Sequence, residues 1–333
     1  MNVRLRLLVS LALGLLAGFV SHFFATTQAK PRDFWYMWLA GRALLQGQNP
    51  YEAVPGLPYP LPGVFAATPF ALVATGPGAS GVFMVVSATL FAWALLGNGP
   101  GAWLGFFSAG MLFAVEVVQW TPLHAGAFAL APLGVFLIVK PHTGLPLFIA
   151  RPSWWAVGGA LVCAAAAFAM DPAWLVHWRA SMALGGQHVG TSPTGFPYAA
   201  PVVLPGGFVA LLALTRWRRP EARLLAALAC VPQSLYLYDT VALALVPRGL
   251  RESALFTVLS YVVLGYLLNG RPWSSYQEMA LASGQMYTLL LYVPLTLMVL
   301  RRPNEGGVPS WLEVRIASWP SWLRGFSPRP DRG

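Results

Sequence analysis

Residues 30–62 read KPRDFWYMWLAGRALLQGQNPYEAVPGLPYPLP. They are the longest polar-containing segment in the first half of a chain that is otherwise a succession of apolar runs. The run before them ends near Ala25 and is about the ~20 residues that a bilayer crossing needs. Asp33 follows it, and Trp35, Tyr36 and Trp38 come next, the aromatic residues expected at a membrane–water boundary. Residues 34–45 suit a helix, Gly47 suits its C-terminal stop, and Asn49-Pro50 suits a turn. The reading is a short helix lying in the interface, with one carboxylate at its N-terminal end where a base can face water.

The composition agrees. Hydrophobic residues make up 57% of the 333 and charged residues only 10%, whereas a soluble domain is nearer a quarter charged. With a mean hydropathy of +0.60, this is a polytopic membrane protein. The predicted fold is all-α: a bundle of about nine to eleven membrane helices in one transmembrane domain, residues 1–300, with interfacial helices in the outer loops. Residues 301–333 form an interfacial or cytoplasmic tail.

The net charge of +10 rests almost wholly on Arg, since Lys30 and Lys140 are the only lysines. No soluble basic domain carries that charge, so nucleic acid is excluded as a partner and the membrane is expected instead. Cys163 and Cys230 lie in apolar runs and read as small buried thiols. Zinc spacings, Walker loops, dinucleotide fingerprints and nucleophile elbows are missing from the sequence, so no metal and no cofactor is expected.

Arg4 and Arg6 place the N-terminus in the cytoplasm of a multi-pass plasma-membrane protein, and Asp33 therefore outside. Arg216, Arg218, Arg219 and Arg223 belong inside, as do Arg301 and Arg302. Strict alternation from the N-terminus does not satisfy every cluster, so one run is expected to be re-entrant or half-length. The second long loop, Asp171–Pro205, opens with a helix that puts Trp174 and Trp178 one turn apart, ends it at Gly185-Gly186, and continues as a flexible segment. The tail interleaves Trp311, Trp319, Trp322 and Phe326 with arginines, a surface-anchoring pattern.

Ionisable groups are expensive in lipid and face a cavity or a partner. Asp33 and Arg42, Glu116 and Gln119, Lys140 and His142, and the group Tyr236, Tyr238 and Asp239 stand at the ends of apolar runs, where they can line one polar cavity. Each also has a structural reading: Asp33 as a cap, Arg42 and Lys140 snorkelling, Asp239 as an ion-pair partner. Nine residues along a helix is about 180° around it, so Asp33 and Arg42 are not an intrahelical pair. His124 and His188 are read as structural.

Taken in order, the segments Asp33–Tyr51 (DFWYMWLAGRALLQGQNPY), Pro58–Leu72, Val117–Leu123 (VVQWTPL), Val139–Phe148 (VKPHTGLPLF) and Tyr236–Asp239 (YLYD) resemble glycosyltransferase family 87, a branch of the polytopic GT-C class. The resemblance covers roughly residues 7–300. It implies a GT-C-like helical bundle that moves a sugar, usually mannose, from a polyprenyl-phosphate donor to a lipid or glycan acceptor hydroxyl on the outer face, with inversion and without a metal. On this resemblance Asp33 is the base, and Lys140, Arg42 and His142 hold the donor phosphate. Gln119, Tyr59, Tyr238 and Asp239 contact substrate. The chain departs from the commoner pattern where a Gly-Gln-Asn-like motif is reduced to Gln119 after Val118. A transporter of a lipid or small solute and a non-catalytic member of the family are the competing readings. A transporter favours internal repeats, which are not evident in the sequence.

Overall fold

A computed structural model describes residues 1–28, 33–99, 101–188, 199–269 and 272–306, and these are helical, without a β-strand among them. In chain order the α-helices are α1 (Val3–Thr27), α2 (Asp33–Leu45), α3 (Pro50–Ala53), α4 (Leu61–Ala71), α5 (Gly76–Leu96), α6 (Ala109–Val117) and α7 (Thr121–Gly126). They continue as α8 (Pro141–Ala150), α9 (Trp154–Met170), α10 (Trp174–His188), α11 (Pro220–Cys230), α12 (Gly249–Leu268), α13 (Tyr276–Tyr287) and α14 (Val293–Leu300). Residues Ala102–Phe107, Ala131–Val139, Gly207–Arg216 and Leu237–Leu245 are 3-10 helices, and a π-helical turn, Thr288–Tyr292, joins α13 to α14.

Among the described residues, four helical stretches are long and apolar enough to cross a membrane: α1, α5, α12 and the continuous run Glu278–Leu300. A fifth results if α9 and Trp174–Gly185, which meet at 90°, form one broken span. The other apolar runs of the sequence become shorter helices. Several are wound as 3-10 helices, which rise about 2 Å per residue rather than 1.5 Å, so nine residues reach about 18 Å. Pro141 explains one break. It keeps Lys140 out of helical backbone, at φ −137° and ψ 85°, so the helix over Ala131–Val139 stops and α8 starts afresh.

α1 and α5 pack along a face of small residues. A Cβ on Gly14 would lie 1.9 Å from Thr89 Oγ1, and one on Gly18 would lie 2.2 Å from Val85, so this crossing requires glycine at both positions. At one end of the pair the Arg6 guanidinium donates to Trp93 O and lies 4.0 Å over the Trp93 ring. Nearby, Asn98 Nδ2 donates to Leu245 O (2.8 Å), and Arg302 Nη1 donates to Val246 O (3.0 Å). Arg216 donates to Arg302 O and Leu300 O, and Arg223 to Ala150 O. The arginines of the N-terminus, of 216–223 and of 302 therefore share one end of the molecule, the grouping expected for a single side of the membrane.

That end is closed by a clasp on Glu221. Its carboxylate is 3.0 Å from both Arg248 and Arg302 and 3.4 Å from Arg219, while Arg302 also pairs with Glu252. Burial alone would raise the Glu221 carboxyl. Its own backbone amide, Arg248 and Arg302 outweigh that and hold it below the usual carboxylate range. At this end Arg216, Arg223 and Arg302 also satisfy carbonyls at helix C-termini, those of Leu300, Ala150 and Val246, groups that have no partner within their own helix.

Three expectations are corrected. The helix after Asp171 does not stop at Gly185-Gly186 but runs to His188. Gly185 instead allows a backbone approach, a Cβ there falling 2.9 Å from Gly56 O, and Trp178 Nε1 donates to Pro58 O (3.0 Å). α10 thus lies on the loop before α4, and Trp174 and Trp178 stack as their spacing required. The helix at Asp33 buries Phe34, Met37, Trp38, Ala40, Gly41 and Ala43 against neighbouring helices, so it is part of the core as well as an edge. Neither cysteine is buried: Cys163 is half-exposed and Cys230 exposed, both as free thiols. Lys30, the segment 189–198 and the aromatic tail residues Trp311, Trp319, Trp322 and Phe326 lie outside the described residues.

Candidate functional site

Three aromatic side chains position the site from behind. Phe34, directly after Asp33, stacks on Phe83 of α5 at 4.2 Å, and Phe83 meets Trp120 at 4.7 Å. Trp120 directly follows Gln119, and all three rings are fully buried. One aromatic stack therefore fixes the backbone at both Asp33 and Gln119.

Two strained residues aim the polar groups. Val118 closes α6 at φ +57° and Leu235 stands at φ +61°, the only non-glycine residues with positive φ among those described. The left-handed conformation costs roughly 1–2 kcal/mol for a residue with a Cβ, and such positions cluster where surrounding structure over-determines them. Val118 turns the chain so that the next side chain, Gln119, points to Asp33. Leu235 turns it just before Tyr236, Tyr238 and Asp239.

The result is a continuous polar cluster drawn from four parts of the chain. Gln119 Nε2 donates a short hydrogen bond to Asp33 Oδ2, and Lys140 Nζ donates to Gln119 Oε1 (2.6 Å). Lys140 also lies 4.8 Å over the face of Tyr238, a cation–π contact. His142 Nε2 is 3.8 Å from Asp239 Oδ1, and Ser234 Oγ donates to Asp239 Oδ2 (2.7 Å) while lying 3.2 Å from Tyr238 Oη. Gln119, Lys140 and Asp239 are 0%, 8% and 1% exposed, whereas Asp33 and Tyr236 are half-buried, so the cluster reaches the surface at its Asp33 side.

The cluster stands outside the four long spans. Two short elements run from it to the arginine end: α8 over about 15 Å and Leu237–Leu245 over about 18 Å by helix rise. Both are shorter than the ~30 Å of a bilayer's hydrocarbon core.

The electrostatics are those of a buried ion group. We take Asp239 as ionised, because the Ser234 hydroxyl donates to it and the Lys140 cation stands close by.

Of the residues singled out in the sequence, Asp33, Gln119, Lys140, His142, Tyr238 and Asp239 come together. Tyr59 is buried, and its carbonyl accepts from Tyr51 Oη (3.3 Å). Arg42 is held elsewhere. Its guanidinium packs 5.1 Å over Trp38 and donates to Ala74 O (3.2 Å), on the far side of α2 as helix geometry required. Glu116 is half-buried on α6, one turn before Gln119. Ser234 and Thr143 were not singled out. Thr143 Oγ1 donates to Lys140 O (3.1 Å) and accepts from His124 Nδ1 (2.8 Å), so His124 braces the Lys140 turn, in keeping with its structural reading.

No protein-family model matches the chain, and no curated protein and no solved structure is similar to it.

Proposed function

We propose that the chain is a GT-C-like membrane glycosyltransferase that moves a sugar, on the resemblance mannose, from a polyprenyl-phosphate donor to a hydroxyl of a lipid or glycan acceptor. The observation that carries this reading is the convergence of the half-buried Asp33 carboxyl at the cluster's open edge with a buried Lys140 behind it, the two joined through Gln119. In the reaction, the acceptor oxygen bonds to the anomeric carbon as the bond from that carbon to the phosphate oxygen breaks. Asp33 takes the acceptor proton, and the polyprenyl phosphate leaves as an anion beside Lys140 and His142. Tyr238, Tyr59 and Asp239 border the sugar. Arg42 has no place in this arrangement. The nine to eleven crossings belong to the proposal too, and they require that the short helices and 3-10 segments act as half-spans. In this reading the arginine end faces the cytoplasm and Asp33 the outside.

A second reading has its own support: short helices that meet at a buried polar cluster part-way through a bundle are the architecture of transporters. Purified protein separates the two. Sugar transfer from polyprenyl-phosphate mannose to a soluble or lipid acceptor in detergent, weakened for the donor in Lys140→Ala, supports the transferase. Solute or lipid flux in liposomes without transfer supports the transporter.

A further inference from the structure

The Gln119 amide can be oriented in only one way. A lysine ammonium can only donate and a carboxylate can only accept, so Oε1 must face Lys140 and Nε2 must face Asp33. Both ends of the amide are thus engaged, and the side chain is fully buried. Its backbone is held by a left-handed valine on one side and by the buried Trp120 on the other. A group so constrained is poorly placed to adapt to a substrate.

We propose that Gln119 is a positioning residue: its side-chain amide ties the Asp33 carboxylate to the Lys140 ammonium, fixes the spacing between them, and keeps Asp33 ionised. This deepens the transferase reading, in which the two ends of the bridge serve the acceptor and the leaving group. A rigid link between them sets the distance over which the sugar is passed. The link also transmits charge, because a Lys140 cation polarises the amide and strengthens its N–H donation to Asp33.

Asp33 titrates in a defined setting. Lys140 at the start of α8 and Tyr236 and Tyr238 beside Leu235 act on it, with His142 and Asp239 behind them. On its own helix lie Tyr36 and Arg42, and α3 brings Tyr51 and Glu52. α4 and α5, packed against α2, contribute no titratable side chain. A hydrogen bond to a charged group is worth enough to move a carboxyl by about 1–2 pH units.

The test is the pH dependence of Asp33 labelling by dicyclohexylcarbodiimide, a reagent that attacks the protonated carboxyl, read by mass spectrometry on full-length protein in detergent. Asp33→Asn serves as the control for the labelled site. Gln119→Leu keeps the volume and removes the bridge, and should raise the labelling midpoint by about 1–2 units. Gln119→Glu keeps the contact to Lys140 but turns a carboxylate toward Asp33, and should raise the midpoint at least as far. It is the variant to use if the Leu substitution does not fold. An unchanged midpoint in either folded variant overturns the bridge. The labelling needs no turnover. A wild-type chain that transfers no sugar but shows the shift would retire the transferase reading and leave the bridge standing. A chain that transfers sugar without the shift would do the reverse.

Discussion

Replacing Val118 by glycine tests whether the turn into Gln119 is strained. Val118 is fully buried at φ +57°, and Val241 is equally buried but lies inside the helix Leu237–Leu245. Valine to glycine at either site removes the same isopropyl group, a loss of contacts and a cavity worth about 1.5–3 kcal/mol. That term cancels in the comparison. At Val118 the substitution also relieves about 1–2 kcal/mol of left-handed strain, whereas at Val241 it adds a further few tenths of a kcal/mol for exchanging valine for glycine in a helix. Val118→Gly should therefore be less destabilising than Val241→Gly by about 1–2 kcal/mol, with a net loss of about 0–2 kcal/mol of its own. Thermal unfolding in detergent, with denaturant titration where it is reversible, measures the difference. Equal losses at the two sites would show that Val118 stores no strain and that Gln119 is not aimed by it.

Three further outcomes follow from the packing, the clasp and the topology. Phe34→Ala should destabilise by about 3–5 kcal/mol by opening the stack on Phe83 and Trp120, and Phe34→Leu by clearly less; equal small losses would detach the stack from the site. Glu221→Gln should cost about 3 kcal/mol or more at neutral pH, since it leaves Arg219, Arg248 and Arg302 facing one another. The folded Glu221 carboxyl lies below its ordinary range, so its contribution is complete above the unfolded pKa and is lost as pH falls through the folded one. Wild type should accordingly lose stability more steeply than Glu221→Gln below about pH 4.3, and parallel acid curves would contradict the clasp. Cysteine at position 33, with Cys163 and Cys230 replaced by alanine, should react with an impermeant thiol reagent in intact cells; labelling only after the inner leaflet is opened would reverse the orientation.

Much of the cluster was legible because a polar group in an apolar chain has few uses. Asp33, Gln119, Lys140, His142, Tyr238 and Asp239 stood out by being costly where they are. The arginines did the same for the opposite end. The backbone that brings the groups together was less legible. Valine and leucine carry no signal for left-handed backbone, so the turns at Val118 and Leu235 were hidden, and with them the part played by Ser234. Apolar periodicity does not distinguish a 3-10 from an α-helix in a run of nine residues, so the half-length elements read only as spans that were too short. The Gly14 and Gly18 crossing was present in the first apolar run, but glycine spacing alone does not name the partner helix. Arg42 was legible as a lone cation and was expected to border the same cleft as Asp33; its stacking on Trp38 and its bond to Ala74 O, which hold it elsewhere, had no signal in the sequence.

In the proposed reaction Asp33 accepts the acceptor's proton. Asp33→Asn preserves size, and its side-chain oxygen can still accept from Gln119, but it cannot take up a proton at neutral pH. The decisive measurement is the initial rate of mannose transfer from a polyprenyl-phosphate donor by the Asn variant, beside its unfolding temperature. The expected rate is lower by about 10²-fold or more, with unfolding unchanged. A well-folded Asn variant that transfers at the wild-type rate would contradict it and remove Asp33 from the mechanism.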